Sequence, residues 1–214
     1  MWKYGIALFL VLLYCQNAPA TESRRLTELL QSAYAEMQTL QTDFFQEIKH
    51  RDSGDTDVYK GVLSFKKPFF LRWEVVSPSP ELIVLTEEAA WQYFEDEMLA
   101  YKYQPDIHLE AGLLFRVLTG QSRLDEEFDI SEIRTENGLT CIHAYPKEPI
   151  AQMVEAKIWV DTNSLYVTRV VSLDFYGNST DVRLSNISIN PTLSDDIFTF
   201  TPPEGILVED NTML

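Results

Sequence analysis

Residues 61–94 read GVLSFKKPFFLRWEVVSPSPELIVLTEEAAWQYF, and this stretch decides the fold. Every second residue along its first limb gives Phe65, Lys67, Phe69, Leu71, Trp73 and Val75. The other register gives Lys66, Pro68, Phe70, Arg72, Glu74 and Val76. Side chains of an extended chain alternate between two faces. One face is therefore an apolar stripe with a single lysine at its head, and the other is mixed. Such a stripe is either ordinary core or the wall of a lipid cavity. Pro68 interrupts the run, so a strand end or bend is expected there.

Strand signals continue on both sides. Thr42 to His50, Val58 to Lys66 and Phe69 to Val76 are expected strands, with Asp52-Ser53-Gly54-Asp55 and Ser77-Pro78-Ser79-Pro80 between them. Leu82 to Thr86, Ala90 to Glu95 and Met98 to Tyr103 follow. Further on come Phe128 to Arg134, Leu139 to Tyr145, Met153 to Val160, Leu165 to Phe175 and Thr180 to Ile189. In the run from Leu165, the residues Leu165, Val167, Arg169, Val171, Leu173 and Phe175 are expected on one face. Short strands joined by tight turns indicate an antiparallel meander rather than parallel βαβ units. Two helices interrupt it. Residues 22–40 carry Leu26, Leu29, Leu30, Ala33, Met37 and Leu40 at helical spacing. Residues 109–119, LEAGLLFRVLT, form a short apolar helix closed by Gly120. Ser194 is positioned to cap one helical turn before Ile197. The fold class is α+β, mostly antiparallel β.

The first twenty residues have the marks of a secretory signal peptide: Lys3, an apolar run from Tyr4 to Tyr14, and Ala18-Pro19-Ala20 for cleavage. Tyr14 is too large to precede a lipidated Cys15. Residues 21–214 are then one domain. Removing the leader leaves Cys141 alone, so no internal disulfide is expected and the core must hold the fold. The chain has 17 basic and 33 acidic residues, a formal charge of −16. The leader takes away Lys3 and no acid, so the mature chain is more acidic still. Such a charge disfavours nucleic acid and anionic membrane surfaces as partners.

Catalytic signatures are missing. There is no HExxH, GxSxG, phosphate-cradling glycine loop or CxxC. His50, His108 and His143 lie in different elements, and Asp106 with His108 supplies too few ligands for a metal. Glu95-Asp96-Glu97 and Asp125-Glu126-Glu127 read as solvated turns. A secreted, aromatic-rich β domain of this kind is a binder rather than an enzyme, with no cofactor.

Four runs in order resemble the LolA family of periplasmic lipoprotein carriers. They are Leu40-Gln41-Thr42-Asp43-Phe44-Phe45-Gln46 after a helix, then Gly61 to Pro68 with Arg72-Trp73-Glu74. Next come Pro78 with Ile83-Val84 and Trp91-Gln92-Tyr93, and last Phe198-Thr199-Phe200-Thr201-Pro202-Pro203-Glu204-Gly205 to Val208. The resemblance implies an incomplete antiparallel β-barrel, half open, with helices as a lid over a hydrophobic cavity. It implies a monomer that takes acylated lipoprotein from an inner-membrane ABC transporter of the LolCDE type to an outer-membrane receptor of the LolB type. The expected lipid-binding wall is Phe65, Phe69, Leu71, Trp73, Val75, Ile83 and Trp91, and Lys67 is the expected lid tether. Two departures from the family pattern stand out. Lys67 replaces the usual arginine, a point charge in place of a planar fork. Thr86-Glu87-Glu88 replaces an Asp-Gly turn and is expected to be weaker. Both fit a specialised paralogue. Related readings are an accessory protein for glycolipid or polyene lipid export, and a lipid-sensing module that binds a signalling protein.

The physics of the cargo is consistent with such a carrier. Exposing an acyl chain costs about 0.8 kcal/mol per CH2, on the order of 10 kcal/mol for one long chain. A chain that crosses water must be covered.

Overall fold

The computed structural model describes residues 18–105, 122–148 and 150–212. The second helix expected at 109–119 lies outside them, as does most of the expected leader. Ala18 to Ala20 form the start of the first helix.

One mixed sheet of twelve strands carries the fold. In chain order these are β1 Thr39–Lys49, β2 Thr56–Lys66, β3 Phe70–Ser77, β4 Glu81–Leu85, β5 Ala90–Phe94, β6 Leu99–Tyr103, β7 Phe128–Glu136, β8 Leu139–Pro146, β9 Glu155–Asp161, β10 Val167–Leu173, β11 Ser179–Ile189 and β12 Leu207–Asp210. The spatial order is β12-β6-β5-β4-β3-β2-β1-β11-β10-β9-β8-β7. Neighbours are antiparallel except β12, which runs parallel to β6. The two ends, β7 and β12, do not pair, so the sheet is open, as expected of an incomplete barrel. The chain turns from β2 into β3 at Lys67-Pro68-Phe69, where Lys66 pairs with Phe70 and Phe65 with Leu71.

Helix α1, Ala18–Glu36, fills part of the inner face. Its buried line is Thr27, Leu30 and Tyr34, and Met37 follows directly after it. Against it lie Ile142, Ile158, Val160, Val167 and Val170 of β8 to β10, with Phe44, Phe65 and Val75 of β1 to β3. The sequence placed this helix at 22–40 with Leu29 on its stripe. In the structure the helix ends four residues sooner, Leu40 belongs to β1, and Leu29 is 44% exposed. Spacing alone allowed either line. The aromatic Tyr34 and the small Thr27 fit against the sheet, and Leu29 turns outward.

Three other expectations are corrected. The run from Leu165 does not alternate without a break. Pairing slips between Val167 and Arg169, so Val167 and Val170 both face inward. A bulge of this kind reverses the faces downstream of it. β12 was not expected as a strand; its four exposed residues carry no alternation. The turn at Thr86 is firmer than expected. The Thr86 hydroxyl accepts from the amides of Glu88 (3.2 Å) and Ala89 (3.3 Å), a serine/threonine turn in place of Asp-Gly. The cap at Ser194 is as read, and Asp195–Phe198 is a single 3-10 turn.

Gly61 sits where β1, β2 and β3 crowd. A Cβ there would lie 1.9 Å from the Glu74 carbonyl oxygen and 2.7 Å from the Phe44 ring. Overpacking of this order costs roughly 1–3 kcal/mol. Gly61→Ala is therefore expected to lower the unfolding free energy measured in urea by that amount, and an unchanged value would show that β3 can move away freely.

Candidate lipid-binding face

Paired residues of neighbouring strands share a face, so the registers trace rows across β2 to β6. One row is Phe65, Leu71, Leu85, Ala90 and Tyr103. The next is Leu63, Trp73, Ile83, Gln92 and Tyr101. A third is Gly61, Val75, Glu81, Phe94 and Leu99. All three lie on the face that also carries Leu40 and Phe44, the side on which α1 packs. The arrangement follows from period-2 alternation in five consecutive short strands.

Burial divides this face. Phe65 and Val75 are shut in the core, at 0% and 4% exposed. Leu71, Trp73 and Ile83 are only half-buried, and so are Phe94, Tyr101 and Tyr103. Trp73 stacks on Phe44 with ring centroids 4.0 Å apart. Tyr101 stacks on Tyr103 at 6.1 Å and meets Phe94 edge-on at 6.2 Å. The result is a partly open, mainly apolar wall over β3 to β6, with Gln92 donating to the Glu81 carboxylate (2.8 Å) within it, beside a half that α1 has filled.

The expected wall residues are therefore not equivalent. Leu71, Trp73 and Ile83 lie together on the partly open wall, whereas Phe65 and Val75 lie in the packed core beside it. Phe69 is half-buried in the turn between β2 and β3. Trp91 points the other way. It pairs with Val84 and Lys102 on the outer face, where its ring meets Phe200 at 5.4 Å and Lys102 Nζ at 5.5 Å. Ala90 takes the inner position of β5, and strict alternation puts Trp91 outside. Phe94, Tyr101 and Tyr103 were missed as wall residues, although Leu99, Tyr101 and Tyr103 alternate visibly in the sequence.

The outer face of β3 to β6 is covered by the chain end. Phe198 is 1% exposed and packs on Phe70, and Phe200 packs on Trp91 and Tyr93. Lys66 pairs with Asp195, and Arg72 donates to the Ile197 carbonyl at 3.3 Å. A cleft of about 440 Å³ remains on this outer side, bordered by Gln41, Ser64, Arg72, Glu74 and Ile197. Its lining mixes the apolar side chains Val62, Val76 and Ile197 with the ion pair of Arg72 and Glu74.

Three contacts hold α1 against the inner face. Lys67 Nζ donates to the carbonyls of Tyr34 (2.8 Å) and Ala35 (3.1 Å). The last carbonyls of a helix have no partner within it, and a cation there also meets the negative end of the helix dipole. α1 has no basic residue in its own last turn, so Lys67 supplies the charge from the β2–β3 turn. Desolvation holds the Lys67 ammonium below the usual lysine pKa. Asn190 makes the second contact: its Nδ2 donates to the carbonyl of Glu36, the last residue of the helix, at 3.4 Å, and its side-chain oxygen accepts from the amides of Gln38 (2.7 Å) and Thr39 (3.4 Å) just beyond. Tyr34 makes the third. Its hydroxyl accepts from the Val167 amide at 3.0 Å, at the bulge in β10, and its ring meets Tyr166 edge-on at 5.4 Å. Burial pushes the Tyr34 phenol pKa up, so it stays neutral. Neither Tyr34 nor Asn190 stood out in the sequence, because each depends on a partner more than 130 residues away.

Tyr34→Phe keeps the ring and removes the acceptor. A buried donor without a partner costs about 1–3 kcal/mol. The variant should lose that much stability in urea, and the Val167 amide should exchange with deuterium faster. Unchanged exchange at Val167 would show that the hydroxyl does not hold the helix.

Comparison with known proteins agrees with the geometry. The family model described as "Outer membrane lipoprotein carrier protein LolA" matches residues 35–201. An outer-membrane lipoprotein carrier protein of Legionella pneumophila (strain Lens) is 29% identical over 204 residues, covering 93% of this chain and 96% of that one. One from Dechloromonas aromatica (strain RCB) is 26% identical over 167 residues, covering 78% and 79%. Among solved structures, an uncharacterized conserved protein from Thermus thermophilus superposes with a TM-score of 0.57 at 10% identity, over 89% of this chain and 99% of the other, a likeness of fold. With a family match running from the end of α1 through β11 to the C-terminal Phe-Thr-Phe-Thr segment, the chain belongs to the LolA family of outer membrane lipoprotein carrier proteins.

Proposed function

We propose that this protein is a periplasmic, non-enzymatic carrier. It covers the acyl chains of a lipoprotein, or of a related lipid, against the wall of β3 to β6 and moves them from the inner to the outer membrane. The partners on this reading are an inner-membrane ABC transporter and an outer-membrane receptor. The observation that carries the reading is the split inner face. Leu71, Trp73 and Ile83 are apolar and half-buried beside a helix held by a few polar ties. A packed core at normal density has no room for a ligand. A half-exposed apolar wall next to a removable helix gives an acyl chain both a surface and an entry. Lys67 is the lid tether on this reading, and Leu71, Trp73 and Ile83 are the contact residues.

Mass spectrometry of lipid co-purified from the periplasm tests the cargo. A diacyl or triacyl lipoprotein supports the reading, and a glycolipid or polyene lipid would move the protein to an accessory role in lipid export.

Leu71→Glu places a charge on the wall and is expected to abolish loading of lipoprotein while leaving the fold intact. Loading at the wild-type rate would place the acyl site elsewhere. Lys67→Leu removes two charge-assisted bonds, each on the order of 1–2 kcal/mol. The expected result is slower transfer by a protein that still folds, with a melting temperature lower by several degrees, and Lys67→Arg should restore transfer. A collapse of thermal stability in Lys67→Leu would make the lysine a structural residue instead.

A further inference from the structure

We propose that the β10–β11 turn is a membrane-contact tip, through which the protein touches a zwitterionic phospholipid surface. Phe175 and Tyr176 are 72% and 63% exposed, the two most exposed aromatic rings among the described residues. They lie side by side, edge to face, with centroids 5.7 Å apart. Neither belongs to the inner wall or to the face covered by the chain end.

The turn that presents them is rigid. The Asp174 carboxylate accepts from the Asn178 amide (2.8 Å) and from Asn178 Nδ2 (2.7 Å). The Asp174 amide donates to the Asn178 carbonyl, and the Gly177 amide to the Asp174 carbonyl. Gly177 adopts φ +86°, and a Cβ there would meet the Arg51 side chain at 2.8 Å. The Arg51 amide in turn donates to Asn178 Oδ1 at 3.1 Å, which fixes the neighbouring β1–β2 turn to this one. On the other side the Phe175 amide donates to the carbonyl of exposed Ala151. A turn fixed by these six hydrogen bonds holds two large apolar rings out in water. Exposed apolar groups grouped in this way mark a contact site.

Size and charge choose the occupant. An aromatic side chain buries about 150–250 Å², so the pair offers roughly 300–500 Å². A standard protein interface needs about 800 Å² from each partner. A bilayer interface needs no matching surface, and aromatic rings settle at the headgroup level. Arg51, whose side chain is 62% exposed and ion-paired with the more exposed Asp52 at 3.0 Å, lies against Gly177 beside the rings, so the tip carries no net positive charge to draw it to an anionic surface. The chain's charge of −16 opposes an anionic surface, which leaves a zwitterionic one.

The test is flotation of the full chain with phosphatidylcholine vesicles that contain no lipoprotein. Wild type should float with the vesicles, and less so when anionic lipid is added. The variant Phe175→Ser with Tyr176→Ser should bind at least about tenfold less. Its urea midpoint should match wild type, because both side chains are exposed. It should still take up lipoprotein from detergent solution, so this proposal and the carrier reading can fail separately. Wild type that does not float, or a double variant that floats equally well, would overturn the membrane tip. So would light scattering that shows a wild-type dimer which the double variant loses.

Discussion

The ammonium of Lys67 against the carbonyls of Tyr34 and Ala35 is the contact on which the inner side of the molecule depends. α1 ends at the open side of the sheet, with Ala35 and Glu36 exposed. Its last carbonyls have no partner within the helix. The sequence of α1 offers no cation or glycine to relieve them. Relief comes from the β2–β3 turn and from Asn190, directly after β11, whose Nδ2 donates to the Glu36 carbonyl at 3.4 Å. The helix is thus held by groups from two strands that flank β1, and its position sets which half of the sheet is filled.

From that position the split of the inner face follows. Leu30, Tyr34 and Met37 cover β8 to β10 and the inner ends of β1 to β3. Phe65 and Val75 fall under this cover and Leu71, Trp73 and Ile83 at its margin, though all belong to the same or adjacent rows of the sheet. The outer face has no such division. The C-terminal segment covers it with Phe198 and Phe200, so the apolar residues Val84 and Trp91 are used for packing. Over β3 to β6 the sheet therefore has an outer face covered by the chain end, and its inner face is closed only in part by a tethered helix.

Period-2 alternation made most of the sheet legible in the sequence, with strand ends displaced by a few residues. The stripe at Phe65 to Val75 was legible for the same reason, although Lys67 to Phe69 turn out to be a hairpin turn. What was not legible has a common cause. The slip at Val167, the choice of Tyr34 over Leu29, and the role of Asn190 are all settled by residues distant in the chain. Trp91 was misplaced for a simpler reason. An aromatic residue is equally at home on either face, and only the pairing of Ala90 with Leu85 fixes which one it takes. β12 is short and exposed, and its parallel pairing with β6 leaves no local trace.

On the proposed reading, the energies of opening are of a size that makes exchange practicable. Burying one Leu, Phe or Met side chain is worth about 1.5–3 kcal/mol. Leu30, Tyr34 and Met37 together therefore hold α1 by several kcal/mol, and the polar ties add about 1–3 kcal/mol each. One acyl chain leaving water gains on the order of 10 kcal/mol. The two amounts are comparable. An acyl chain that takes the place of part of the apolar face of α1 replaces one set of buried contacts with another, and neither state lies far below the other. The polar ties then adjust this balance finely, and they differ in kind. The Tyr34–Val167 bond is buried and neutral, so its strength is insensitive to salt. The Lys67 contact is charged and partly exposed, so a partner that brings its own charge or carbonyls to that turn can compete for it directly. A substitution of arginine by lysine at this one point removes the fork but keeps the charge, and it changes the competition without changing the wall.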